Sequence, residues 1–202
     1  FNNWRSILNC GLAIGAAVLD DRPLMQRAQQ ELAQLADLWQ ADGSYGESLQ
    51  YGNYAALGMV TAIEALGRRD ASYFDRAPMA AYAGKVKWDA CSYFYNRPLS
   101  GWGSEPLARS ANFNDSAAIY RASADVLLHI AARLKRTMPT EAGLARWLFE
   151  EQYRGADGAA MWDRATFGFV NQPGFLTLPL LTAACQPLSP SRQNSARPRR
   201  LV

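Results

Sequence analysis

Apolar residues recur along this chain at steps of three and four rather than two. Leu24, Ala28, Leu32, Leu35 and Trp39 follow that step with Gln, Arg and Glu between them, which predicts an amphipathic helix with one buried stripe. Asp20 or Asp21 can cap it, Pro23 suits its first turn, and Asp42-Gly43 is a turn signal that ends it. Residues 4–19 are apolar or small almost all round, the pattern of a helix buried on most sides. Residues 54–66 share that character. Two more helices are predicted, over 116–136 with Val126, Leu127, Ile130 and Leu134, and over 140–153 with Leu144, Trp147 and Leu148; Pro139 separates them. No convincing alternation with period two is present, so the expected fold class is all-α.

Helices apolar on most faces need an inner layer, and one-stripe helices cover them from outside. Helical hairpins in two concentric rings meet both demands, and so does an irregular bundle. Residues 88–116 break the helical pattern with aromatics, Gly, Pro, Ser and Asn, and long loops of this kind are commonly functional. Residues 1–185 are expected to form the helical unit. Residues 186–202, rich in Pro, Ser and Arg, are expected to be a disordered tail. The start at Phe1 and the abrupt change after residue 185 lead to the expectation of a truncated form, with a frameshift as one origin.

Charge alters the picture only at the end of the chain. Of the 21 basic residues, Arg192, Arg197, Arg199 and Arg200 lie after residue 185; without these four, 17 bases face 18 acids and the body is near neutral. A nucleic-acid binder would show a basic face within the fold, so no nucleic-acid partner is expected. No run reaches the ~18 apolar residues of a membrane span, and no membrane partner is expected either. The cysteines Cys10, Cys91 and Cys185 are widely spaced and the sole histidine is His129, so free thiols are expected, with no metal site and no cofactor.

Two clusters carry candidate chemistry. One is Asn2-Asn3-Trp4 at the head of the first helix. The other is residues 42–54, where Glu47, Tyr51 and Tyr54 lie three or four apart; a helix beginning near Ser48 puts both tyrosines on one face with Glu47 at its mouth. Amides, phenols and indoles suit a sugar site: rings stack on pyranose faces while amides and hydroxyls bond its hydroxyl groups. Trp102, between two glycines, is a further candidate for stacking.

Asn2-Asn3-Trp4 ahead of a small-residue helix, Asp-Gly-Ser-Tyr-x-Glu at 42–47, and Tyr51-x-x-Tyr54 together resemble the heparinase II/III-like polysaccharide lyases. Residues 112–116 are similar to that family's Asn-Phe-Gly-Asp-Ser segment, with Asn114 where Gly is usual. The resemblance runs through roughly residues 1–180. It implies an incomplete (α/α) toroid lacking its first helices, a β-sandwich domain absent from this sequence, and a periplasmic setting. It also implies cleavage of a uronate-containing polysaccharide, of heparin/heparan or alginate type, by β-elimination. Asn3 would then neutralise the uronate carboxylate as an oxyanion-type donor, and Tyr54 would act as acid/base. Asn2 and Tyr51 are the near alternatives, Glu47 would position the sugar or the tyrosine, and Trp4 would contribute to binding. Many such lyases add a histidine, and none lies near Asn2-Asn3-Trp4.

Each residue has a plainer reading beside this one. Asn2 and Asn3 cap helices well, as does Asp115 before Ser116. Tyr51 and Tyr54 at helical spacing suit a core, Glu47 suits a cap, Trp102 suits a core plug, and His129 on its helix suits a structural role. Two other functions stay open: a non-catalytic carbohydrate-binding remnant, and a glycoside hydrolase on a similar toroid. The hydrolase would need two carboxylates across a cleft, drawn from Asp42, Glu47, Asp89, Glu105 and Asp115.

Overall fold

The computed structural model describes residues 3–111, 113–114, 116–117, 119–158 and 176–190. Asn2, Asn112, Asp115 and the tail beyond residue 190 lie outside the described residues. The protein is mostly helical. The helices are α1 (Asn3–Leu19), α2 (Arg22–Leu35, continued by a 3-10 turn at Ala36–Leu38), α3 (Leu49–Arg69), α4 (Tyr73–Arg76), α5 (Met79–Ala83), α6 (Lys85–Ser92), α7 (Ala124–Arg133), α8 (Pro139–Gln152) and α9 (Thr177–Leu181).

Helix starts follow local chemistry. The Asp21 side chain accepts from Leu24 N–H (3.0 Å) with Pro23 in the first turn, and Ser48 Oγ accepts from Tyr51 N–H (3.2 Å). Gly43 has φ +86°, and an added Cβ would lie 2.1 Å from the Gly84 carbonyl oxygen. The Asp42-Gly43 turn therefore packs backbone to backbone against the start of α6, where no side chain fits.

The central element is α3, buried on nearly every turn through Leu49, Ala56, Met59, Val60, Ile63 and Leu66. Burying such a side chain stabilises the fold by about 1.5–3 kcal/mol. Contacts fix the directions of its neighbours. Asn3 meets Glu47 at one end and Arg69 reaches the Ala17 and Val18 carbonyls at the other, so α1 and α3 run parallel. Asn53 meets Ser123, and Glu64 meets His129 and Arg133, so α7 runs parallel to α3 as well. Helix α2 returns antiparallel to α1, tied by Arg5 to Glu31 and Asn9 to the Ala28 carbonyl. Helix α8 returns beside α7, with Tyr153 just past its end bonded at Ala122 and Ala124.

Four expectations change. A two-stranded antiparallel hairpin is present, β1 (Tyr93–Arg97) with β2 (Leu107–Ser110), inside the segment read as loop. The helix expected from residue 116 begins only at Ala124. Before it, three N–H groups go to side-chain amides: Ala117 to Gln50 Oε1 (3.0 Å), Ala122 to Gln152 Oε1 (2.8 Å) and Ser123 to Asn53 Oδ1 (2.8 Å). Buried backbone groups need partners, and here α3 and α8 supply them from side chains. Leu24 is part-exposed, so the buried stripe of α2 begins at Ala28. Helix α1 buries one face, with Ser6, Asn9, Ala13 and Ala17, against α2 and α3, while Trp4, Leu8, Val18 and Leu19 are largely exposed. Past α9, residues 186–190 have no regular structure, and Leu188 N–H bonds the Gly143 carbonyl on α8 (2.8 Å).

Candidate functional site

The parallel run of α1, α3 and α7 gathers their N-terminal ends, and with them Asn3, Trp4, Glu47 and Tyr54 of the residues singled out in the sequence. Asn3 opens α1 and is 2% exposed; its Nδ2 donates to Glu47 Oε2 at 2.8 Å. The Tyr45 hydroxyl donates to the same oxygen at 2.9 Å. Glu47 is otherwise exposed, just before the Ser48 cap of α3. The loop after β2 closes the cluster from a third direction, with Asn114 Nδ2 donating to the Glu47 carbonyl at 2.6 Å. Asn114 has φ +50°, a left-handed conformation that Asn tolerates and Gly adopts freely.

Tyr45 was not singled out in the sequence, and it organises the cluster. Its ring is buried against Gly52 on α3, where an added Cβ would approach the Tyr45 Cβ to 2.9 Å, and it packs on Trp39 at 5.6 Å between centroids. Burial, reinforced by the Glu47 carboxylate, pushes its phenol well above the ordinary tyrosine value, so it remains a neutral donor. The available signal was the Tyr45-x-Glu47 spacing and a glycine at the facing position of the next helix. The pairing across sequence was not visible.

Tyr54, one turn into α3, is half-buried and lines an open apolar groove of about 180 Å³ with Trp4, Ile7 and Leu8 of α1. Trp4 is 71% exposed beside it. Thus Asn3 and Glu47 are joined directly, and Trp4 and Tyr54 share the adjoining groove. Tyr51 is half-buried and packs against the core rather than lining the groove. Trp102 is exposed at the tip of the β1–β2 hairpin, between Gly101 and Gly103, both with positive φ, and does not line the groove; the core-plug reading is set aside. Asn2 lies outside the described residues.

The other carboxylates have different surroundings. Asp42 closes its own turn by accepting from Ser44 N–H at 2.9 Å. Asp89 is buried against the Lys85 ammonium, and burial still raises its carboxyl above the ordinary value. Glu105 is half-buried, and Asp115 lies outside the described residues.

A second polar cluster is sealed in the core. Glu64 accepts from His129 Nδ1 (2.8 Å) and from Arg133 through both oxygens (2.8 and 2.7 Å), while His129 Nε2 meets the Tyr82 hydroxyl at 2.8 Å. Burial alone would raise Glu64, but the hydrogen bonds from His129 and Arg133 outweigh it and bring the carboxyl to about 2. Burial lowers His129, so the ring is neutral. With an ionised acceptor at Nδ1, that nitrogen carries the proton and Nε2 accepts from Tyr82. His129 is fully buried and has no path to the groove.

Among the described residues, no group of three or more His, Cys, Asp or Glu side chains is placed to hold a metal ion, and no helix is long and apolar enough to cross a membrane. The three cysteines are free thiols. No protein-family model, no curated protein and no solved structure matches the chain.

Proposed function

We propose that the end of the molecule where α1 and α3 begin binds a uronate-containing polysaccharide and acts on it as a lyase, by β-elimination. The observation that carries this reading is the meeting of Asn3 with Glu47 at 2.8 Å beside the Trp4–Tyr54 groove. Two motifs far apart in sequence thereby share one exposed edge. Trp4 offers a face for a sugar ring, and Glu47 and Asn114 offer acceptor and donor groups for its hydroxyls. Tyr54 is the proton-transfer group in this reading, Asn3 the amide directed to the uronate carboxylate, and Glu47 the residue that holds Asn3 in place. The alternation of parallel helices α1, α3 and α7 with the returning α2 and α8 is the layering that an (α/α) toroid requires. A β-sandwich partner domain and a periplasmic setting belong to the same reading.

A second reading, non-catalytic carbohydrate binding, is favoured by one observation. The Asn3 amide nitrogen already donates to Glu47, and the only histidine is locked in the core. The test incubates the purified chain with heparin, heparan sulfate, alginate and hyaluronan while ultraviolet absorbance of the unsaturated product is followed. Absorbance that grows on one polymer and is lost in Tyr54→Phe, with helical circular dichroism unchanged, is the expected result. Binding without absorbance on any polymer selects the second reading. Reducing ends released without absorbance point to hydrolysis.

A further inference from the structure

A different kind of surface begins at the far end of α1 and α3 and continues along α2. On α2, Arg22, Gln26, Gln29, Gln30 and Ala33 recur at three- and four-residue steps and share one face. That face is the polar side of an amphipathic helix, which a solvated surface alone would explain, but here it is walled. The end of α3, α4 and the Pro78 turn stand opposite it and enclose two open cavities of about 420 and 350 Å³. Gln26, Gln29 and Arg76 line both, so the two adjoin along α2 and together make up a trough. From residue 22 to residue 33 it follows about 16 Å of helix, at a rise of ~1.5 Å per residue.

Its lining has unused hydrogen-bonding capacity. Among the described residues, Arg22, Gln26, Gln29 and Gln30 make no side-chain hydrogen bond, whereas on the same helix Glu31 is paired with Arg5 and Arg27. Tyr73 forms part of the wall, is 3% exposed, and carries the Arg76 guanidinium over its ring, while its hydroxyl is buried beneath the surface. Three guanidinium groups (Arg22, Arg69, Arg76) face two carboxylates (Asp20, Asp70). Arg76 is paired with Asp70 at 2.7 Å and Arg69 holds the last carbonyls of α1, which leaves Arg22 as the guanidinium open to an anion.

We infer that this trough is a binding site for an acidic oligosaccharide, distinct from the Trp4–Tyr54 groove. Primary amides donate and accept at once, as vicinal sugar hydroxyls do, and a guanidinium takes a carboxylate with two parallel bonds. A trough several helical turns long suits a chain of sugars over a single one. The assignment depends on no step of the elimination reading, since no residue that lines the trough lines the Trp4–Tyr54 groove.

The test records amide shifts on adding hyaluronan tetrasaccharide to the Trp4→Ala/Tyr54→Phe protein, in which the other groove is disabled. Shifts that saturate at Arg22, Gln26, Gln29, Gln30 and Arg76 are expected. Arg22→Ala and Gln29→Ala, both surface changes, should each weaken binding at least tenfold. Cellotetraose, neutral and of equal length, should bind at least tenfold more weakly. Shifts absent from the trough, or unaffected by Arg22→Ala and Gln29→Ala, overturn the site; equal binding of cellotetraose overturns its acidic preference. If the trough binds while the unmodified protein shows no response around Trp4 and Tyr54 to oligosaccharides of hyaluronan, heparin, heparan sulfate or alginate, the function proposed above fails and this one stands.

Discussion

Glu47 and Glu64 are two glutamates positioned by one helix, and each accepts hydrogen bonds from a partner on a distant segment. Glu47 stands at the mouth of α3, exposed, with Asn3 and Tyr45 on a single oxygen. Glu64 lies in the body of α3, with both oxygens occupied by His129 and Arg133 and Tyr82 closing the chain beyond. The first carboxylate keeps an oxygen for something else; the second has none to spare. A buried charge must have all its bonds made inside the protein, so Glu64 serves the fold. Water satisfies whatever Glu47 leaves open, so Glu47 remains available to a ligand.

This contrast is breakable, and the largest effect lies in the core. Glu64→Ala removes the acceptor of both His129 and Arg133 and should cost about 3 kcal/mol, at the lower end for a broken buried pair because Arg133 is part-exposed. Urea denaturation reads it, and a loss under 1 kcal/mol would place Glu64 in the same class as Glu47. Acid should act on the same cluster. His129 is depressed below its ordinary 6.5, so below that pH the unfolded chain binds a proton the folded chain does not. Glu64 is depressed from 4.5 to about 2, so its contribution is complete above pH 4.5 and lost as pH falls toward 2. Both signs agree. Urea midpoints should be level above pH 7 and fall steadily below it, and His129→Gln, less stable at pH 7, should lose the part of the slope between pH 7 and 5.

Smaller effects sharpen the comparison. Tyr82→Phe leaves His129 Nε2 without its donor and should cost about 1–2 kcal/mol. Asn3→Ala removes a buried amide and its one bond to Glu47 and should cost about 1 kcal/mol, yet reduce polysaccharide binding, which calorimetry measures on the same sample. Glu47→Gln should leave the urea midpoint in place and still weaken binding. If Asn3→Ala and Glu47→Gln change stability and leave binding untouched, the exposed cluster is a cap and no more.

Much of this was legible in the residues. The amphipathic α2, its Asp21 cap, the start of α3 at Ser48 and the break at Pro139 all follow from contacts within one or two helical turns. So does the placement of Glu47 at the mouth of α3. The hairpin at residues 93–110 was not legible, because Tyr93–Arg97 carries no clean alternation and its strand partner lies beyond a glycine-rich tip. The extended run before α7 was hidden for a related reason. Residues 116–123 look apolar enough for helix, but Gln50, Gln152 and Asn53 offer the N–H groups of Ala117, Ala122 and Ser123 partners that helix formation would displace. Tyr45 escaped notice because its importance rests on Gly52 leaving room for its ring.

Periodicity, caps and turn residues act between near neighbours in sequence, and they were enough to specify where most helices lie and that the protein is mostly helical. Which carboxylate is sealed and which is left open depends on neighbours tens of residues away. Hydrogen bonds and desolvation are decided by the atoms that packing brings within about 3 Å. Glu47 and Glu64 are the same residue in the sequence, and only the packing of α1 and α7 on α3 makes one a candidate for binding and the other a part of the core.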